Sequence, residues 1–119
     1  MFKRHVLVAE DSFLIAASLE SLLTQRGIGV VGPASTLNEA MALADAGGFD
    51  AAILDVNLHD EMVFPVADLL IARGIPFVFA TAYAPSEILP PRFASQPTLQ
   101  KPYAIPKLIA LLERAFESA

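Results

Sequence analysis

The sequence contains no cysteine and no tryptophan among its 119 residues, which excludes disulfides, thiolate metal centres and thiol redox chemistry. Its two histidines, His5 and His59, are too few and too far apart for a self-contained zinc site. Charge is also scarce. Only 18% of residues are Asp, Glu, Lys or Arg, and 13 acids against 8 bases leave a formal net charge of −5. Without clustered Lys and Arg there is no footprint for phosphates, so nucleic acid is not expected as the main partner. No charge-free apolar run approaches the ~20 residues of a membrane helix, and the opening Met1-Phe2-Lys3-Arg4-His5 leads into strand-like residues rather than a signal peptide's apolar core. The expectation is a cytoplasmic protein without a membrane segment.

Apolar residues are abundant, at 55%. A length of 119 residues fits one domain, able to bury roughly two thirds of its unfolded surface without staples. So much apolar content calls for an architecture with two-sided burial. Short apolar runs recur at near-regular intervals: His5 to Ala9, Ile28 to Gly32, Ala51 to Leu54, Phe77 to Ala80 and a lesser Thr98 to Gln100. Uninterrupted runs of this kind are what a parallel strand covered on both faces looks like, and helical spacing between them implies βα units wound into a parallel sheet. Five such units fit the length.

Ile15, Leu19, Leu22 and Leu23 fall on one stripe of a first helix over Ser12 to Arg26, ended by Gly27. Thr36 and Glu39 form a capping box for a second helix that closes at Gly47-Gly48. A third helix starts near Pro65 and ends at Arg73-Gly74. The last carries Ile105, Leu108, Ile109, Leu112 and Phe116 on one stripe, suited to covering a sheet face or meeting a partner helix. Pro85, Pro90, Pro91 and Pro97 break the stretch from Ala84 to Pro97, so a fourth helix is expected to be short, irregular or mobile.

In an open parallel sheet, ligands bind beyond the carboxyl ends of the strands. Glu10 and Asp11 follow the first strand, Asp55 and Asn57 the third, Thr81 the fourth, and Lys101 with Pro102 the fifth. Three carboxylates drawn together repel one another unless a cation neutralises them, and an all-oxygen set suits a hard ion, Mg²⁺ or Mn²⁺. Asp11 and Asp55 would ligate it directly, the Asn57 backbone carbonyl would add a ligand, and Glu10 would act through water. A carboxylate beside such an ion is a competent nucleophile towards phosphorus, with Lys101 and the Thr81 hydroxyl holding the phosphoryl oxygens.

In that order and spacing, Glu10-Asp11, Asp55, Thr81-Ala82 and Lys101-Pro102 resemble the receiver domain of two-component response regulators over essentially the whole chain. The resemblance implies a flavodoxin-like, doubly wound (βα)5 fold of strand order 2-1-3-4-5 with helices on both faces, filling residues 1–119 with no output domain. It also implies Asp55 as phosphoacceptor, Glu10 and Asp11 as the metal-binding pair, Thr81 as switch hydroxyl, Lys101 as phosphate partner and a cis bond before Pro102. The donor would be a sensor histidine kinase or a histidine phosphotransferase. Phe79-Ala80-Thr81-Ala82-Tyr83 is similar to the signature of the FAT GUY group of receivers, with Ala82 in place of glycine. Thr98 stands where many receivers carry a switch aromatic, which shifts that role to Tyr83 or the proline-broken segment.

Two other functions fit parts of the pattern. A Mg²⁺-dependent phosphatase or phosphotransferase with an aspartyl-phosphate intermediate would want a second carboxylate two residues after Asp55, where Asn57 stands. A pseudo-receiver would keep the fold and bind partners without phosphorylation. His59 is expected as a solvated loop residue, and Tyr83 could simply cover a strand end.

Overall fold

A computed structural model describes residues 3–118. Five parallel strands form the central sheet: β1 (Arg4–Ala9), β2 (Ile28–Ala34), β3 (Ala51–Asp55), β6 (Phe77–Thr81) and β7 (Thr98–Gln100), in the order β2-β1-β3-β6-β7. By position in the sheet this is the order 2-1-3-4-5. A two-stranded antiparallel hairpin, β4 (Asn57–Leu58) and β5 (Glu61–Met62), follows β3 directly. Helices α1 (Phe13–Gln25), α2 (Leu37–Ala46), α3 (Phe64–Ala72), the single-turn α4 (Pro85–Ile88) and α5 (Ile105–Ser118) connect the strands, with one 3-10 turn at Pro91–Phe93.

Alternation along each strand explains the unbroken apolar runs. Val6 and Val8, Ala51 and Ile53, and Val78 join Leu19, Leu23, Leu108 and Leu112 in one core, between the sheet and the pair α1 and α5. Leu7 and Ala9, Ala52 and Leu54, and Phe77 and Phe79 face the other way, against Val66, Leu70, Ala40 and Ala44 from α3 and α2. Every second side chain serves a different core.

Local signals set the helix ends. Ser12 caps α1, its hydroxyl accepting from the Ile15 N–H at 3.4 Å, and Gly27 follows at φ 77°. At α2 the Thr36 hydroxyl accepts from the Glu39 N–H at 3.1 Å. The return contact differs from the expected box: Glu39 Oε1 takes the Ser35 N–H at 3.2 Å, one residue earlier, together with both neighbouring hydroxyls. Arg73 and Gly74 end α3 as expected.

Three expectations need correction. β2 does not stop at Gly32 but runs on to Ala34 through an irregularity opposite Leu7–Ala9. Gly32 sits there at φ 101°, where an added Cβ would lie 2.8 Å from Ala34 N and 3.0 Å from Val8 O. The extra residues matter to the site, because the Ala34 carbonyl accepts the Glu10 N–H at 2.9 Å. Ile15 and Ile105 leave their stripes, each 38% exposed, because both line a groove between the first turns of α1 and α5. Ala115 takes a place in the α5 core instead.

The broken segment is short and irregular, as its prolines require, yet it is anchored. Phe93 is fully buried, stacked on Phe64 at 5.3 Å between centroids and edge-on to Phe79 at 5.4 Å. Beside it Arg92 makes a bidentate pair with Asp68 of α3, both contacts at 3.1 Å.

Candidate functional site

The carboxyl ends of β1, β3, β6 and β7 bring Glu10, Asp11, Asp55, Thr81 and Lys101 to one edge of the sheet. Register does this: Asp55 is paired with Ala80, and Thr81 with Gln100, while the Lys101 N–H donates to the Thr81 carbonyl at 2.7 Å. One carboxylate oxygen each from Glu10, Asp11 and Asp55 lie within 4.8 Å of one another. Glu10 and Asp55 are buried, at 3% and 6% exposure, and Asp11 is half-buried.

Lys101 spans this cluster. Its Nζ donates to Glu10 Oε1 at 2.9 Å and to Asp55 Oδ2 at 3.0 Å. Burial pushes the Asp55 carboxyl up to about 8, Glu10 beside it pushes the same way, and Lys101 offsets only part of this. For Lys101, burial alone would lower the ammonium, but its hydrogen bonds and charge contacts with Glu10 and Asp55 outweigh burial and raise it. Tyr103, half-buried at the groove beside Lys101, is raised mainly by burial.

The remaining expected residues are close by. Thr81 is 2% exposed and its hydroxyl accepts from the Tyr83 N–H at 3.0 Å, whereas the Tyr83 side chain is 52% exposed. Asn57 opens the hairpin and its Oδ1 accepts from the Asp60 N–H at 2.8 Å. The bond before Pro102 is cis, and so is that before Pro33. His59 is exposed, but its backbone N–H reaches Asp11 Oδ2 at 3.0 Å. Sequence reasoning missed that contact and the hairpin that makes it. The available signal was Asp60, since Asp tolerates left-handed backbone better than most residues.

Hard oxygen donors, two of them buried and no sulfur or imidazole among them, suit Mg²⁺ or Mn²⁺. Three carboxylates meet beside a single ammonium, which pairs with Glu10 and Asp55, so the cluster carries an excess of negative charge. A divalent cation would supply the missing compensation, so the donor set fits.

Residues 6–113 match the family model of the response regulator receiver domain. The chain belongs to this family. Receiver domains are signalling phosphoacceptors that bind Mg²⁺ through acidic residues and receive phosphoryl groups from kinases. The chain is 30% identical over 115 residues to the transcriptional regulatory protein PdtaR of Mycobacterium tuberculosis, covering 94% of this chain and 56% of that protein. It is 32% identical over 113 residues to the phyllosphere-induced regulator PhyR of Methylorubrum extorquens, covering 92% and 42%. It therefore spans about half the length of these curated relatives. Among solved structures it is similar to SdrG of Sphingomonas melonis, with 42% identity, TM-score 0.79 and coverage of 92% and 93%. SdrG is also known in a BeF3-activated conformation, at 40% identity, TM-score 0.75 and coverage of 94% and 95%. Among the described residues no helix is long and apolar enough to cross a membrane.

Proposed function

We propose that this receiver domain accepts a phosphoryl group onto Asp55 in a Mg²⁺-dependent reaction and signals through protein partners or passes the group on. The observation that carries the reading is Lys101 Nζ held between Asp55 and Glu10, with the Asp11 carboxylate alongside. Mg²⁺ held by Asp11, Asp55 and the Asn57 backbone carbonyl, with Glu10 reaching it through water, would return Asp55 to its ionised form and offset charge on phosphorus. An Asp55 carboxylate oxygen attacks the phosphorus of a phosphohistidine and the P–N bond breaks. The electron pair leaves on the imidazole nitrogen, which takes a proton from solvent. Lys101 shifts from Asp55 Oδ2 towards the phosphoryl oxygens and the Thr81 hydroxyl donates to another.

Transfer would then bias two arrangements of the nearby backbone, because Thr81 cannot turn inward without loading its bond to the Tyr83 N–H. Tyr83, the last residue of the FAT GUY-like run, is exposed and placed to report that movement. The likeness to SdrG, a protein known in a BeF3-activated form, supports the same reading, since beryllofluoride mimics a phosphoryl group.

The donor would be a sensor histidine kinase or a histidine phosphotransferase in the cytoplasm. An apolar groove of about 720 Å³, lined by Leu14, Ile15, Leu19, Pro102, Tyr103 and Ile105, has Lys101 in its wall. Leu14 at its rim is 77% exposed. A donor helix seated there would bring its phosphohistidine to Asp55.

The decisive experiment incubates the protein with Mg²⁺ and acetyl phosphate and reads intact mass. A gain of one phosphate that disappears in Asp55→Asn and on EDTA treatment is expected. A gain that survives Asp55→Asn would overturn the assignment of Asp55. No gain from acetyl phosphate or from any phosphohistidine donor would favour a pseudo-receiver, and turnover of a phosphate ester would favour a phosphatase.

A further inference from the structure

His59 and Asp60 form the two-residue tip of the β4–β5 hairpin, and both have positive φ, 49° and 67°. They are the non-glycine residues of the described chain in that region. Positive φ at both tip positions is the sign pattern of a type I′ turn, which favours Asn-Gly because an L side chain there crowds the following carbonyl. Glycine fills such positions elsewhere in the chain, at Gly27, Gly47, Gly48 and Gly74, yet not here.

Several contacts impose the conformation. Asn57 pairs with Met62 and Leu58 with Glu61; the Val63 N–H donates to the Val56 carbonyl at 2.8 Å; and the Leu58 side chain is fully buried. Of the two tip amides, that of Asp60 is satisfied within the hairpin by Asn57 Oδ1 at 2.8 Å. That of His59 leaves the hairpin and crosses to Asp11 Oδ2 at 3.0 Å, a partner 48 residues away in sequence. A strained backbone that ends on a carboxylate of the acidic cluster is a candidate positioning device.

We propose that the left-handed hairpin tip is a positioning element for Asp11, with the His59 backbone N–H holding Oδ2 so that the other oxygen is presented to the cation. The His59 imidazole is exposed and takes no part, so the requirement falls on the loop's length and handedness rather than on its side chains. The amide tie stands on the geometry alone, while its consequence for Mg²⁺ rests on the metal-binding reading of Asp11 given above. Outer contacts that orient a ligand typically change metal affinity by about 10- to 100-fold.

Two measurements on the full chain test this. In EDTA, hydrogen exchange followed by NMR should find the His59 amide protected, and in Asp11→Ala it should exchange at least about tenfold faster, with the Asp60 amide unaffected. An unprotected His59 amide, or one indifferent to Asp11→Ala, overturns the proposal. Mg²⁺ titration should then find affinity unchanged in the double variant His59→Asn with Asp60→Gly, which keeps a two-residue left-handed loop and removes its strain. Inserting one glycine between His59 and Asp60 should weaken Mg²⁺ by about tenfold while the urea unfolding transition is retained. Unaltered Mg²⁺ affinity in the folded insertion variant overturns the positioning role. If the unsubstituted protein binds no Mg²⁺ while the exchange result holds, the metal-binding reading fails and the tie survives it.

Discussion

The Tyr83 backbone N–H donates to the hydroxyl of Thr81 across 3.0 Å, tying an exposed aromatic residue to one of the site's most buried polar groups. Thr81→Val keeps the branched shape and deletes the acceptor. Loss of one part-buried hydrogen bond should cost about 1 kcal/mol in urea unfolding. The Tyr83 amide resonance should move in the resting protein and lose its response to beryllofluoride. A Tyr83 amide that still responds would detach it from Thr81.

Asp55 gives the metal-free protein a definite pH dependence. Its carboxyl, ordinarily near 3.8, is raised to about 8 by burial first and Glu10 second. Between those values the folded protein holds a proton that the unfolded chain has released. This contribution to stability is therefore complete below 3.8 and lost as pH rises through 8. In EDTA, Asp55→Asn should raise the urea midpoint more at about pH 8.5 than at about pH 5. Equal gains at both would remove Asp55 as the source.

Mg²⁺ should oppose that loss at neutral and higher pH. At ten times its dissociation constant a single site adds about 1.4 kcal/mol to stability, and Asp11→Ala should abolish most of the effect. Stabilisation of Asp11→Ala equal to that of the unsubstituted protein would place the ion elsewhere.

Phe93 anchors the otherwise irregular segment between β6 and β7. Removing its buried ring from the Phe64–Phe79 cluster by Phe93→Ala should cost about 3–5 kcal/mol. Arg92→Ala, which breaks an exposed pair with Asp68, should cost about 1 kcal/mol or less. Chemical denaturation of both variants checks the ranking, and a reversal would mean that the ion pair rather than the ring holds the segment.

Leu14 offers a test that separates the proposed donor docking from the chemistry at Asp55. Leu14→Ser leaves Asp55 and Lys101 untouched but roughens the rim of the groove. Phosphotransfer from a histidine donor should slow by about tenfold, equivalent to ~1.4 kcal/mol of lost docking, with acetyl phosphate used at an unchanged rate. Equal slowing with both donors would place the defect in the site itself.

Much of this is legible in the sequence itself, and the physical reason lies in periodicity. Val6, Val8, Leu7 and Ala9 sit in two cores, so β1 shows as an unbroken apolar run, and its end locates Glu10 and Asp11. Asp55, Thr81 and Lys101 follow from the same rule at the other strands. Features made by long-range geometry were not legible. Gly32 reads as a stop, and only the approach of Val8 O shows why the strand continues past it. Phe93 lies among prolines and reads as loop, yet it is core because Phe64 and Phe79 converge on it. Leu58-His59-Asp60-Glu61 has no glycine to mark a tight turn, so the hairpin appears only when the pairing of Asn57 with Met62 is seen.

Lys101, shared between Glu10 and Asp55, also determines which ion would make the pocket electroneutral. Three ionised carboxylates and one ammonium leave two negative charges, a deficit that a monovalent ion only halves and a divalent ion cancels. A phosphoryl group would then enter a pocket with no net charge of its own. Lys101, released from Asp55, would answer the incoming charge without leaving an unmatched cation behind.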